Sequence, residues 1–217
     1  MTPSAQAAQL AIFEFVDVPF VDSPSAYIFK NQDLAQSFTA SRSYQLLRVE
    51  VMVHDLDPLF PVDPLNMTIQ TDASGVPSGT VLASSMADGA FGYDWLAFDL
   101  VPAINVTVGQ VLWIVLKDDN NMNQQSGYKW AMKSGDTYSG GTWATRTGGG
   151  SWGPNTGDDL LFRTWGLDGP QITAGLAVDS TTAGVSDPLV FTLFFNNSGT
   201  RVASFVWTNL TDRKSVV

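Results

Sequence analysis

The sequence predicts an all-β protein: an antiparallel β-sandwich or jelly roll, followed by an incomplete second β domain. Apolar and polar residues alternate in many short segments, as they do in strands with one buried face. Turns rich in Gly and Pro separate these segments. Long stretches with the apolar period of an amphipathic helix are absent from the sequence.

The segment QLLRVEVMVH carries the clearest strand pattern. Its alternation places Leu47, Val49, Val51 and Val53 on one face, which we expect to point into the core. Similar patterns predict further strands in NMTIQT, DWLAFDL, VLWIVLK, GYKWAMK, GTWATRT and DLLFRTWG.

Composition and turn signals divide the chain. We expect residues 1–33 to be a lead-in that is partly β and residues 34–166 to form the sandwich. The segment GLDGPQ has the Gly, Asp and Pro content of a domain junction. We expect residues 167–211 to form a second β domain that is truncated, because so few strands cannot cover their own apolar face; a resemblance given below implies that this domain is immunoglobulin-like. Its predicted strands are ITAGLAV, PLVFTLFF and RVASFVW.

The last residues, Asp212 to Val217, change in character. They can be encoded by GAT-CGG-AAG-AGC-GTC-GTG, which reproduces a common sequencing-adapter sequence. We expect them to be adapter read-through and the natural protein to continue after Thr211, so they carry no information about the fold. The alternative is a genuine basic tail, and resequencing the source gene distinguishes the two.

Charge and composition exclude several classes of function. The net charge is −10 and the isoelectric point is about 4.2, so the surface repels nucleic-acid phosphates and anionic lipids. Cysteine is absent, which excludes disulfides, a thiolate nucleophile and Cys-ligated metals. Charged residues make up only 15%, so much of the surface is uncharged and polar, as in extracellular β-rich modules. We expect an extracellular or cell-surface location, with any export signal outside this chain.

Several pieces between residues 34 and 166 occur in a characteristic order. They are the QSF opening, the turn DASGVPSGTVLAS, the strand GQVLWIVL and the closing GDDLLFRTWG. In that order they resemble the jelly-roll modules of the choice-of-anchor type, found in secreted and surface-attached microbial proteins. The resemblance implies a non-catalytic module that is similar to carbohydrate-binding jelly rolls.

A second resemblance covers the segment DPLVFTLFFNNSGTRVASFVWTNLT. It is similar to the tandem immunoglobulin-like repeats of archaeal and bacterial surface proteins, in which a turn like NNSGT joins two strands. Together, the two resemblances imply one part of a long modular exterior protein.

Catalysis is not expected. His54 is the only histidine, and no neighbouring serine completes a Ser-His-Asp arrangement. Glycoside hydrolysis needs two carboxylates that flank a sugar ring. Glu14 and Glu50 are the only glutamates, and the pair Asp158 and Asp159 fits a turn or a packed strand edge better than an acid–base pair.

Aromatic residues are the best candidates for ligand binding. Tyr128, Trp130, Tyr138, Trp143 and Trp152 lie close together in polar, Gly-rich sequence. Exposed aromatic rings pack against sugar faces, which predicts contact with glycans. The alternative is burial in the sandwich core, which we favour for Tyr128 and Trp130 because they share one strand face.

The segment KDDNNMNQQ clusters the oxygen ligands that calcium prefers. It offers Asp118, Asp119, Asn120 and Asn121 as candidate ligands of a structural calcium ion. The alternative is a plain turn, because Asp and Asn favour turns for their own hydrogen bonding. No other cofactor is expected.

Four Asn-X-Ser/Thr sequons begin at Asn66, Asn105, Asn196 and Asn209. Such sequons accept N-linked glycans in exported proteins. We expect Asn105, and after it Asn66, to be the accessible acceptors, although chance also produces sequons in a chain rich in Asn, Ser and Thr.

The sequence thus favours a non-catalytic extracellular module that serves adhesion, glycan contact or spacing. Its expected partners are glycans or neighbouring surface-protein domains, with no nucleic acid and no membrane contact. Two alternatives stay open: an accessory domain of a secreted glycan-active enzyme, and a domain of a virus or phage appendage. The full-length gene distinguishes these classes by its neighbouring domains.

Overall fold

The computed structural model of the chain shows an all-β fold, as predicted. Two antiparallel sheets pack as a sandwich. There is no helix among the described residues, and so none that could cross a membrane. The structure describes residues 10–17, 25–56, 64–89, 92–120, 126–168, 172–178 and 191–197.

Fifteen strands lie in the described part of the chain. The first eight are β1 (Leu10–Val16), β2 (Ser25–Ile28), β3 (Gln32–Thr39), β4 (Tyr44–Asp55), β5 (Leu65–Asp72), β6 (Pro77–Ala87), β7 (Gly92–Val106) and β8 (Val111–Lys117). The others are β9 (Tyr128–Ser134), β10 (Trp143–Thr147), β11 (Gly153–Asn155), β12 (Asp158–Leu160), β13 (Phe162–Leu167), β14 (Ile172–Val178) and β15 (Phe191–Asn197).

The sandwich consists of a seven-stranded and a six-stranded sheet. The seven-stranded sheet has the order β1-β13-β4-β9-β12, with β2 paired to β9 and β7 paired to β4. The six-stranded sheet has the order β11-β10-β3-β8-β5-β6. Most neighbours in these sheets are distant in sequence, so the fold depends on long-range pairing.

The core lies between the two sheets. Phe38 from the six-stranded sheet and Phe162 from the seven-stranded sheet are fully buried, with ring centroids 6.1 Å apart. Val49, Val51 and Val53 lie in the same buried cluster, as their alternation predicts. Apolar burial of this extent supplies the main stabilisation of the sandwich.

Leu47 does not point into the core, contrary to the prediction from alternation. Leu46 is fully buried and Leu47 is only partly buried. The pairings of β4 with β7 and with β13 both skip Leu47. A β-bulge at this residue shifts the inward-facing phase of the strand by one position.

In the described part of the chain, the sandwich already includes β1, well before residue 34. β1 pairs antiparallel with β13 at the edge of the seven-stranded sheet. The Phe13 ring stacks on the Tyr44 ring with centroids 4.1 Å apart. The strands before residue 34 therefore belong to the sandwich, because they contribute sheet pairing and core contacts.

The segment DLLFRTWG forms two strands where a single one was expected. Leu161 separates β12, which pairs with β9, from β13, which pairs with β1 and β4. The Leu161 amide donates to the Ala131 carbonyl, and its own carbonyl accepts from the Met52 amide. The chain therefore changes neighbours at this residue without losing backbone hydrogen bonds.

The described residues fall into two compact units, and the boundary between them along the chain lies between Asp168 and residue 169. In the second unit β14 pairs antiparallel with β15, from Ile172 opposite Asn197 to Val178 opposite Phe191. The Phe194 and Phe195 side chains are exposed. The third predicted strand and the residues after Thr211 lie outside the described residues.

Replacement of Trp130 tests the core. Its side chain is fully buried, and its Nε1 donates to the Leu161 carbonyl over 2.8 Å. We expect Trp130→Ala to lower the free energy of unfolding by about 3–5 kcal/mol, through the cavity and the lost hydrogen bond. Met86→Ala, at an exposed site, should change it by less than about 0.5 kcal/mol. Guanidinium denaturation followed by circular dichroism measures both; similar losses would contradict the assignment.

Candidate functional site

Tyr128 and Trp130 lie in the core, so the interpretation of this pair as a ligand-binding surface is wrong. Tyr128 is 1% exposed and Trp130 is fully buried. Both side chains point inward from β9, because residues two apart in a strand share a face. Neither ring is accessible to a ligand. The alternative prediction, burial of both side chains in the sandwich core, is therefore correct.

Trp143 and Trp152 lie on opposite sides of the six-stranded sheet. Trp143 is part of β10 and packs against the core between the sheets. Trp152 follows β10 and packs against a second, smaller cluster. That cluster lies on the outer side of the sheet and contains Ala35, Trp113, Val115 and Ala144. The two tryptophans therefore do not form one binding surface.

A row of charged groups begins at Trp152. The Arg146 guanidinium lies 4.6 Å from the centroid of the Trp152 ring and forms an ion pair of 2.5 Å with Asp33. Lys117 approaches the same carboxylate to 3.9 Å. We call Asp33, Lys117, Arg146 and Trp152 the Trp152 face. It combines a partly exposed ring with donors and acceptors that rigid strands hold in place.

Trp113 forms the floor beneath this face. It lies in VLWIVLK, which is apolar on both sides, and it is fully buried although it points away from the main core. Its Nε1 donates to Asp72 Oδ1 over 2.8 Å. Asp72 also accepts from the Gly75 amide, which fixes the turn between β5 and β6. The bond thus ties that turn to the outer side of the sheet.

Tyr138 lines a cleft at the edge of the seven-stranded sheet. The cleft has a volume of about 160 Å³. We call it the edge cleft; its lining residues are Phe15, Val16, Asp17, Lys133, Thr137 and Tyr138. Of the five predicted aromatic residues, Tyr138 is the one that contributes to this cavity.

Asp158 and Asp159 hold the wall of the edge cleft. Asp158 Oδ1 accepts from the Gly135 amide over 3.2 Å. Asp159 Oδ2 accepts from the amides of Thr137 and Tyr138, each over 2.9 Å. Asp159 is fully buried, and its Oδ1 has no partner among the described residues. Burial raises the pKa of Asp159, despite the two amide hydrogen bonds that oppose this.

Glu14 supports the same wall from β1, a role that no sequence pattern indicates. It is only 6% exposed. Its Oε1 accepts from the Ser41 amide over 2.6 Å, and its Oε2 accepts from the Tyr138 hydroxyl over 3.3 Å. Burial, with the nearby Glu14 charge, raises the pKa of both Tyr138 and Tyr44, so both phenols are neutral at physiological pH.

Arg163 organises the outer side of the seven-stranded sheet. Its guanidinium lies 3.8 Å from the centroid of the Trp95 ring. It forms ion pairs with Asp17 at 2.6 Å and with Glu50 at 3.5 Å. Asp17 joins this cluster to the edge cleft, since it belongs to both.

The calcium prediction stays a prediction. Asp118 is buried, and its Oδ1 accepts from the Asn120 amide as in a turn. Asp119 Oδ2 accepts from the Asn66 side chain over 2.8 Å. Among the described residues no group of three His, Asp or Glu side chains could hold a metal ion; Asn121 lies outside them.

The glycosylation predictions also stay open. Asn105 is exposed near the end of β7, and Asn66 is partly buried in β5, where its side chain bonds to Asp119. Steric access therefore favours Asn105 as an acceptor.

The only histidine, His54, contacts an aromatic ring. The His54 and Tyr93 rings are arranged edge to face, with centroids 4.9 Å apart, an arrangement that suits packing.

No protein-family model matches the chain, and no curated protein sequence matches it either. The fold is therefore shown by the structure alone.

Asp159 provides a test of how the cleft wall is held. The pKa of Asp159 is higher in the folded chain than in the unfolded chain. As pH rises, the unfolded chain therefore loses this proton at a lower pH than the folded chain does. The contribution of Asp159 to the free energy of unfolding falls across the pH range between these two pKa values. Asp159→Asn keeps an oxygen acceptor and removes the buried charge. We expect it to equal or exceed the original chain in stability at about pH 7, with a flatter dependence on pH.

Asp159→Ala is the matched variant, because it leaves the Thr137 and Tyr138 amides without their acceptor. We expect a loss of about 1–3 kcal/mol in the free energy of unfolding. Guanidinium denaturation at about pH 4 and about pH 7 measures both variants. Equal losses for Asn and Ala at neutral pH would show that Asp159 does not hold the loop in this way.

Proposed function

We propose that the chain is a non-catalytic module of an extracellular or cell-surface protein and that it contacts glycans. Three features support this: the antiparallel sandwich, the cysteine-free composition with few charged residues, and the resemblance to jelly-roll modules of the choice-of-anchor type. In such folds a rigid scaffold presents recognition groups at its surface.

The Trp152 face is the observation that carries the proposal. The Trp152 ring is partly exposed on an apolar floor, with Arg146 stacked against it. Asp33 pairs with Arg146 on the side away from Trp152, and Lys117 approaches Asp33 from the next strand. Apolar C–H groups of a sugar pack against the exposed part of an aromatic ring. Sugar hydroxyls both donate and accept hydrogen bonds, so they can pair with an acceptor such as Asp33 and with donors such as Arg146 and Lys117.

The immunoglobulin-like assignment of the second unit belongs to the same proposal. The antiparallel pair β14 and β15 supports it, as does the NNSGT turn of the sequence. In this view the second unit is one repeat of a modular exterior protein, and the glycan contact lies in the sandwich.

Substitution of Trp152 tests the proposal. We expect the full chain to bind glycans on an array and Trp152→Ala to weaken that binding roughly tenfold, as the loss of an aromatic stacking partner predicts. Tyr27→Ala is the matched control, because Tyr27 is also partly exposed beneath a cation, Lys129, but lies on the other sheet. We expect Tyr27→Ala to bind as the original chain does.

Isothermal titration with the best array ligand measures the affinities, and thermal denaturation confirms that each variant is folded. Absence of glycan binding by the full chain contradicts the proposed function. Equal weakening by Trp152→Ala and Tyr27→Ala contradicts the assignment of the contact to the Trp152 face.

A further inference from the structure

We propose that the edge cleft is a second ligand site, which binds one uncharged, hydroxyl-rich six-membered ring such as the terminal sugar of a glycan. The inference rests on the proposed function and adds to it a separate site and a ligand class. It depends on the size of the cleft, the groups that line it and the way its walls are held.

The size fits a single ring. The volume of about 160 Å³ is close to that of an engineered protein cavity of about 150 Å³ that binds one benzene molecule. It is well below the roughly 300–1,000 Å³ of sites for drug-sized ligands. A longer chain could therefore place only its end in the cleft.

The lining includes an aromatic ring that can contact the C–H groups of a sugar, and a carboxylate oxygen and an ammonium group that can bind its hydroxyls. The Phe15 side chain is 53% exposed, so its ring is free to pack against C–H groups. Both hydrogen bonds from Arg163 to Asp17 end on Oδ2, and Asp17 Oδ1 can accept a further one. Lys133 forms no ion pair within the described residues, so its ammonium can donate to a ligand.

The opposite charges of Asp17 and Lys133 favour an uncharged ligand. An anionic ligand would face the Asp17 carboxylate, with the buried carboxylates of Glu14 and Asp159 behind the wall. A cationic ligand would face the Lys133 ammonium. A hydroxyl group avoids both conflicts, because it donates to a carboxylate and accepts from an ammonium.

The walls are held before any ligand arrives. Tyr138 is fixed through its hydroxyl by Glu14 and through its amide by Asp159. Arg163 fixes Asp17. Such preorganisation reduces the entropy lost on binding, which matters most for a small ligand.

Titration of the ¹⁵N-labelled full chain with uncharged methyl hexosides tests the proposal. We expect at least one hexoside to shift the amide resonances of Thr137 and Tyr138, with a dissociation constant on the order of 1 mM, as befits so small a ligand. Glucuronate and glucosamine serve as the anionic and cationic probes, and both should bind more weakly.

Two pairs of variants locate the site. Phe15→Ala should weaken binding about tenfold through the loss of its ring, whereas Ile12→Ala, on the same strand but outside the cleft, should not change it. Lys133→Gln should likewise weaken binding about tenfold, because a bond from a charged donor is lost. Lys129→Gln, on the same strand, is its control.

The outcomes separate this inference from the proposed function. If glycans bind on the array but no methyl hexoside shifts the cleft resonances, the cleft inference is wrong and the proposed function stands. Equal behaviour of Phe15→Ala and Ile12→Ala also contradicts the cleft inference alone. Tighter binding of either charged sugar overturns the uncharged class. If neither glycans nor hexosides bind, both proposals are wrong.

Discussion

The backbone of Leu161 is the constraint on which the edge of this sandwich depends. Its carbonyl accepts from the Trp130 indole and from the Met52 amide, and its amide donates to the Ala131 carbonyl. These bonds let the chain pass from pairing with β9 to pairing with β4 and β1 without exposing backbone groups. They also hold Asp159, two residues earlier, next to the β9–β10 connection. The core tryptophan, the sheet edge and the cleft wall are thus positioned by one buried residue.

Hydrogen-bonded carboxylates hold the two candidate ligand surfaces. Asp159 and Glu14 hold the cleft wall, and the partly buried Asp72 holds the turn between β5 and β6 through Trp113 and Gly75. Asp159 and Glu14 are buried, which is unfavourable for a carboxylate unless donors surround it, and here backbone amides and a hydroxyl supply the donors. In both proposals these three carboxylates act only through the segments that they hold, so they are positioning residues. The cost of burying Asp159 and Glu14 is consistent with a wall that must keep one shape.

Local patterns predict the sandwich because alternation reports which face of a strand is buried. The adjacent Leu46 and Leu47 interrupt that alternation at the position of the bulge. Two adjacent apolar residues are equally compatible with a regular strand, so the sequence does not predict the bulge. The sequence predicts a packed strand edge for Asp159, but the partners of the positioning residues could not be predicted. Glu14 meets partners that are 27 and 124 residues away along the chain, and Asp159 meets Tyr138 across 21 residues. Such contacts follow from topology, which the strand pattern leaves undetermined.

The distribution of charge bears on what these surfaces can recognise. Every arginine in the described residues is in an ion pair with a carboxylate of the same unit; they are Arg42, Arg48, Arg146 and Arg163. Their charge is therefore largely neutralised within the fold, and the net charge of −10 leaves little attraction for an anionic ligand at long range. Recognition then has to come from short-range packing on aromatic rings and from hydrogen bonds to single groups. Uncharged, hydroxyl-rich ligands satisfy both requirements, so the proposals for the Trp152 face and for the edge cleft concern the same chemical class.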